Sequence, residues 1–304
     1  MVGGIEGADW RRRLTDLGRG ATKPHPPLFA PMLFSAAADI DAINPSDFAG
    51  DPTRIVKGAS ELIRMLGLKV AFTGVPCGML AEAFGASLDR VTWPPKLVAA
   101  PSDDVADIAD FENIWSRSPL LAASLESTKR LACVANGPIV FVAFEGPARL
   151  CSDLFPNEGL SERTADFAAR ALAALLREFA QAGVAAIVLA EGDGLGSELW
   201  NGAARTIGNV ARFHRLPLFA FTVSNAAESE ITPPLIPCVV PGMRRPGPRP
   251  YATVLPKEAD NWVNADISAP DAKLLTTNGE VLSPGGIETI ARQVNELTER
   301  LPQA

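Results

Sequence analysis

The chain has few of the residue types that build metal centres or disulfide frameworks. Its 304 residues include two histidines, His25 and His214, and four cysteines, Cys77, Cys133, Cys151 and Cys238, with no C-x-x-C pair. That supply gives no zinc ligand set and no cystine scaffold, so no metal and no cofactor are expected. Basic excess is missing as well: 28 Lys and Arg against 35 Asp and Glu leave a net charge of −7. Without a clustered basic face to displace phosphate counterions, a nucleic-acid partner is excluded. No apolar run approaches the ~18 to 20 residues that cross a bilayer. Met1–Arg13 places no apolar stretch before its basic cluster, which predicts a cytoplasmic protein without a membrane partner. Repeats at periods of ~20 to 50 residues are absent, as are a Gly-x-Ser-x-Gly elbow and a Walker loop.

Hydrophobic residues make up 47% of the chain and charged residues 21%, enough for a sizeable core and too little charge for disorder. The apolar residues fall into eight short runs: Leu28–Leu33, Lys69–Thr73, Pro138–Phe144, Ala185–Ala190, Pro217–Thr222, Leu235–Val240, Tyr251–Leu255 and Lys273–Thr276. Each is continuous rather than alternating, as expected of parallel strands buried on both faces. Helical signals lie between them. Ser161 can cap a helix whose Phe167, Ala171, Leu175 and Phe179 share one stripe, ending before Gly183. Ser283-Pro284 reads as the start of a closing helix. This alternation predicts an α/β fold, a (β/α)8 TIM barrel. Residues 1–27 form an N-terminal arm, residues 28–304 a single barrel domain, and Arg90–Ser118 an insertion between the second and third strands.

Such a barrel takes its reacting groups from the C-terminal strand ends and the loops that follow. Glu191 and Asp193, after the fourth run, are the candidate catalytic pair, because a carboxylate at a buried strand end is desolvated and rises toward general-acid range. A brace role for Glu191, paired with an arginine across the mouth, stands beside that reading. Thr73, Glu145, Arg149, Ser224, Asn225, Arg244, Arg245 and Arg249 are candidate substrate-binding residues. If Gly146 and Pro147 open a helix, its amides could hold an anion; a Glu145–Arg149 pair bracing the loop is the alternative. The arginines of the Met243–Tyr251 loop could clamp carboxylates or phosphates.

These segments resemble the uroporphyrinogen decarboxylase superfamily. Val70-Ala71-Phe72-Thr73-Gly74 followed by Glu82-Ala83-Phe84-Gly85 is similar to that family's second strand and its Glu-Ala-x-Gly segment. Glu145-Gly146-Pro147-Ala148-Arg149-Leu150 is similar to its Gly-Gly-Pro-x-x-Leu turn. Ala182-Gly183-Val184-Ala185-Ala186-Ile187 and the tail Thr277-Asn278-Gly279-Glu280 to Ser283-Pro284 match in order. The departures bear on function. Gly74 stands where the family has a pyrrole-contacting Asp, and Phe34-Ser35-Ala36-Ala37-Ala38 stands where it has an arginine-rich clamp. The fifth run, ending Phe221-Thr222-Val223-Ser224-Asn225, lacks the His-x-Cys zinc pair of the related methyltransferases. The resemblance implies a lyase, a decarboxylase of a small anionic carboxylated compound other than uroporphyrinogen. A zinc-independent cobamide- or folate-linked methyltransferase, which would bring a corrinoid protein as partner, and a non-catalytic binding barrel are the alternatives. A homodimer stays open.

Overall fold

A computed structural model describes residues 3–19, 27–102, 104–106, 108, 111–222, 236–239, 251–264, 272–281 and 286–300. Its first half runs α1 (Gly3–Gly18), β1 (Leu28–Met32), α2 (Phe34–Asp39), α3 (Pro45–Ala49), α4 (Pro52–Leu66), β2 (Val70–Phe72), α5 (Met79–Ala83), β3 (Ser87–Asp89), β4 (Lys96–Ala99) and α6 (Pro119–Ala132). Then come β5 (Ile139–Glu145), α7 (Pro147–Leu154), α8 (Glu162–Gln181), β6 (Ala186–Glu191), α9 (Glu198–Phe213), β7 (Leu218–Thr222), β8 (Ile236–Val239), β9 (Tyr251–Leu255), β10 (Ala272–Glu280) and α10 (Gly286–Arg300). All eight apolar runs are strands. They build one parallel sheet in the order β1-β10-β9-β8-β7-β6-β5-β2.

The fold is therefore mixed α/β around a curled parallel sheet. Its end strands, β1 and β2, lie side by side with no hydrogen-bonded ladder between them. Pro31 supplies a physical reason. Val281 N–H donates to Met32 O at 2.8 Å, so Met32 bonds toward β10. Strand alternation then turns Pro31 toward β2, where a proline has no N–H to give. Leu33, Phe34, Ile55, Leu62 and Phe72 line a small apolar cavity behind this seam.

β5 and β6 are buried along their whole length, which explains their unbroken apolar sequence. Their two faces differ in what covers them. Phe144 meets Phe179 of α8 with ring centroids 4.9 Å apart, so Phe144 is on the helix side and its neighbour Glu145 is on the inner side. The helix carrying Phe179 starts and stops as its sequence predicts. Ser161 Oγ accepts from Thr164 N–H, Thr164 Oγ1 accepts from Ser161 N–H, and Gly183 follows with φ +89°. The residues Ser283 and Pro284, read as the start of the closing helix, lie outside the described residues.

Two segments beyond the strand–helix repeat shape the ends of the sheet. The N-terminal arm contains α1, which buries Leu14 and Leu17 in the core. Its Arg11 donates to Pro138 O at 2.8 Å, just before β5. A side chain at Gly18 would come within 2.6 Å of Arg215 O, just before β7. This helix therefore covers the N-terminal ends of the strands. The expected insertion, Arg90–Ser118, holds only β4 of the antiparallel hairpin β3–β4, since β3 precedes it; the tip of this hairpin folds over the opposite end. There Trp93 stacks on Phe34 with centroids 5.5 Å apart, immediately after β1. Among the described residues, no helix is long and apolar enough to cross a membrane.

Candidate active site

The inward face of β5 ends in Glu145, which is fully buried. Its Oε1 accepts the N–H of Gly78 at 2.5 Å. Gly78 starts α5 with φ +83°, a left-handed backbone that suits glycine. Glu145 Oε2 is also buried and has no hydrogen-bond partner among the described residues. An unmatched carboxylate oxygen in such a place is costly, and native cores seldom tolerate one without a use.

Cys77 precedes Gly78 and lies at the same strand ends. Burial pushes its thiol well above its usual range; Glu145 and Glu280 push it further, while Arg149 and the Met79 amide act the other way. Glu280 closes β10. Ser35 N–H and the Trp93 indole N–H both donate to its carboxylate. Burial still dominates and holds Glu280 at about 7. Asp153, one turn along α7 from Arg149, is raised to about 6 by burial and by the charge of Glu145. Arg149 Nε lies 3.9 Å from Asp153 Oδ2. Among the described residues the mouth thus gathers three carboxyl groups and a protonated thiol near the half-buried guanidinium of Arg149.

Glu191 does not join this group. Glu145 is in register with Ala190, so Glu191, one residue later, points to the opposite face, toward the helices. The expectation that it reaches into the mouth is corrected by this parity. It is fully buried, accepting the Trp200 indole N–H at 2.8 Å and Ala148 N–H at 3.1 Å. Burial raises it to about 7 against the pull of Trp200 and the Ala148 and Arg149 amides. The first turn of α7 does hold a carboxyl group, and it is the protein's own Glu191. Gly146 is required beside it, since a Cβ there would overlap the Glu191 carboxyl.

The other candidates separate. Asp193 sits exposed in the turn after β6, away from its buried partner in the expected pair. Thr73 is fully buried, and its hydroxyl shares a 2.7 Å hydrogen bond with Thr128 of α6, so it faces a helix rather than a ligand. Arg149 pairs with Asp153 and not with Glu145. Ser224, Asn225, Arg244, Arg245 and Arg249 lie outside the described residues. Gly74 leaves no room for the family's aspartate, because a Cβ there would meet Ser124 Oγ at 2.6 Å and Val142 at 3.1 Å. Sequence reasoning did not select Cys77, Glu280 or Trp93. Glu280 was hidden by Asn278-Gly279, which reads as a turn although β10 runs through it.

Among the described residues, no three His, Cys, Asp or Glu side chains converge as a metal site. β7 carries no His-x-Cys pair, and Cys238 is placed on β8 by its backbone alone. Among the described residues no His-x-Cys pair is placed to hold a zinc ion.

No family model and no curated protein matches the sequence. Among solved structures, a methyltransferase from Methanosarcina mazei is similar over 95% of this chain and 96% of its own, with a TM-score of 0.70 and 15% identity. At that identity the likeness establishes a shared fold over nearly the whole of both chains.

Proposed function

We propose that the chain is a methyltransferase acting on a small nucleophile at the C-terminal mouth of its sheet, with Glu145 as the general base. The observation that carries this reading is the buried, unpartnered Oε2 of Glu145 at the inner end of β5. Methyl transfer needs a nucleophile freed of its proton, a dry site and fixed alignment. In the proposed step Glu145 Oε2 takes the proton from the nucleophile. The released lone pair then forms a bond to the methyl carbon, and the bond from that carbon to its former atom breaks with its electron pair leaving on that atom. Gly78 N–H fixes the other oxygen of Glu145 throughout. The similar structure is named a methyltransferase, which supports the class. The curled sheet is read here as a closed (β/α)8 barrel, its β1–β2 seam left without a ladder by Pro31.

The decarboxylase reading has less to rest on. Of its two candidate proton donors, Glu191 is committed to Trp200 and to α7 on the helix side, and Asp193 sits exposed in the turn after β6. Its carboxylate clamp, Arg244, Arg245 and Arg249, lies outside the described residues. The test is to incubate the purified chain with methylcobalamin or methyltetrahydrofolate carrying a labelled methyl group, together with small thiols, amines and alcohols. Label should pass to one acceptor class, and Glu145→Gln should slow it by about 10² or more. Release of carbon dioxide from a small carboxylate, with no methyl transfer from either donor, would overturn the proposal.

A further inference from the structure

We infer that the mouth recognises its small substrate as a protonated amine, held by a hydrogen bond from an ammonium N–H to Glu145 Oε2. The inference rests on the mouth being the substrate site, as proposed above, and deepens it by naming the ligand's chemistry. Two independent observations lead to it. The first is geometric: Oε2 is enclosed, lies on the inner face of β5 and lacks a donor, while Oε1 is already fixed by Gly78 N–H. A carboxylate oxygen only accepts, so whatever completes it must bring an N–H or O–H.

The second is the balance of charge. The groups that bear on Cys77 are two carboxylates and one guanidinium, and that guanidinium, Arg149, is itself 3.9 Å from Asp153. Among the described residues Glu145, Glu280 and Asp153 share the guanidinium of Arg149, and with Glu280 held at about 7 and Asp153 at about 6 their negative charge is carried in full only above pH 7. Buried carboxylates are tolerated when paired, and a charge-assisted N–H bond from a cation is the strongest pairing available. A carboxylated substrate would be repelled by Glu145; Arg244, Arg245 and Arg249, the clamp expected from the sequence for an anionic ligand, lie outside the described residues. A divalent metal would need several converging ligands, and the described residues offer no such group. A compact ammonium needs one acceptor and a negative surround, and the mouth supplies both.

The test is binding, read without turnover. Titration calorimetry on the full chain would compare methylammonium, dimethylammonium, tetramethylammonium, acetate, Mg2+ and Zn2+, with ionic strength held constant. Methylammonium and dimethylammonium should bind, and tetramethylammonium, which has no N–H, should bind at least about tenfold more weakly. Glu145→Gln should cost a comparable factor, provided its melting curve shows it folded; the wild-type series decides the matter if it does not. Equal affinity for tetramethylammonium, preference for acetate, or competition of a divalent metal for the same site would overturn the inference. Ammonium binding without methyl transfer would uphold this inference and remove the transfer reading. Methyl transfer to thiols with no ammonium binding would do the reverse.

Discussion

Replacing Glu191 by glutamine keeps its size and removes its titration, so it isolates what the buried carboxyl does for the fold. In the native chain burial holds Glu191 at about 7, against an ordinary value of 4.5. A carboxyl raised on folding favours the protonated native state. Its contribution is fully present below pH 4.5 and is lost as pH rises through about 7. Between pH 5 and 8, those two values correspond to a fall of roughly 2 to 3 kcal/mol from this group alone. Glutamine cannot titrate and contributes no such fall. Glu191→Gln should therefore destabilise the protein more at pH 5 than at pH 8, with the difference near that figure. At either pH its amide also presents N–H atoms where the Trp200 indole and the α7 amides need an acceptor, at a cost of about 1–3 kcal/mol. Urea unfolding followed by far-UV circular dichroism at pH 5, 6, 7 and 8 measures both effects. Parallel pH profiles for wild type and variant would refute the reasoning, since they would place the carboxyl in contact with water. Any catalytic rate should follow the folded fraction, because Glu191 faces the helices.

Trp93→Phe keeps the stacking on Phe34 and deletes the indole donor to Glu280. It should cost about 1–3 kcal/mol at pH 8 and less at pH 5, where Glu280 is protonated; an equal loss at both would show that the hydrogen bond is not the reason. Gly146→Ala would drive a methyl group into the Glu191 carboxyl, and a loss near 3 kcal/mol is expected by thermal unfolding. A wild-type melting temperature would mean that α7 shifts freely. Cys77, buried and held as a thiol, should resist iodoacetamide at pH 8 while exposed Cys133 is alkylated. Peptide mapping that finds Cys77 modified first in the folded protein would contradict its burial.

The eight strands were legible because burial on both faces leaves them mostly apolar, with polar residues gathered toward their ends, and continuous apolar runs bounded by turns have few other interpretations. The same property concealed the site. Along an amphipathic strand, alternation announces which side each residue faces. In β5 and β6 every position is buried, so the sequence does not say whether the terminal glutamate points inward or outward. Glu145 and Glu191 each follow an apolar run directly and look equivalent on the page. Only the pairing of Glu145 with Ala190 separates them, putting one carboxyl in the mouth and the other under α7. Glu280 was lost for a related reason. The shift in pairing between Ala30 and Met32 lets β10 carry extra residues, Asn278-Gly279 among them, past the point where a strand would be expected to end. Trp93 reaches Glu280 across 187 positions of chain, a contact that no local pattern encodes. Continuous apolar runs thus locate the strand ends, while one-residue differences in register decide which terminal carboxyl groups lie on the inner side of the sheet and which lie under the helices.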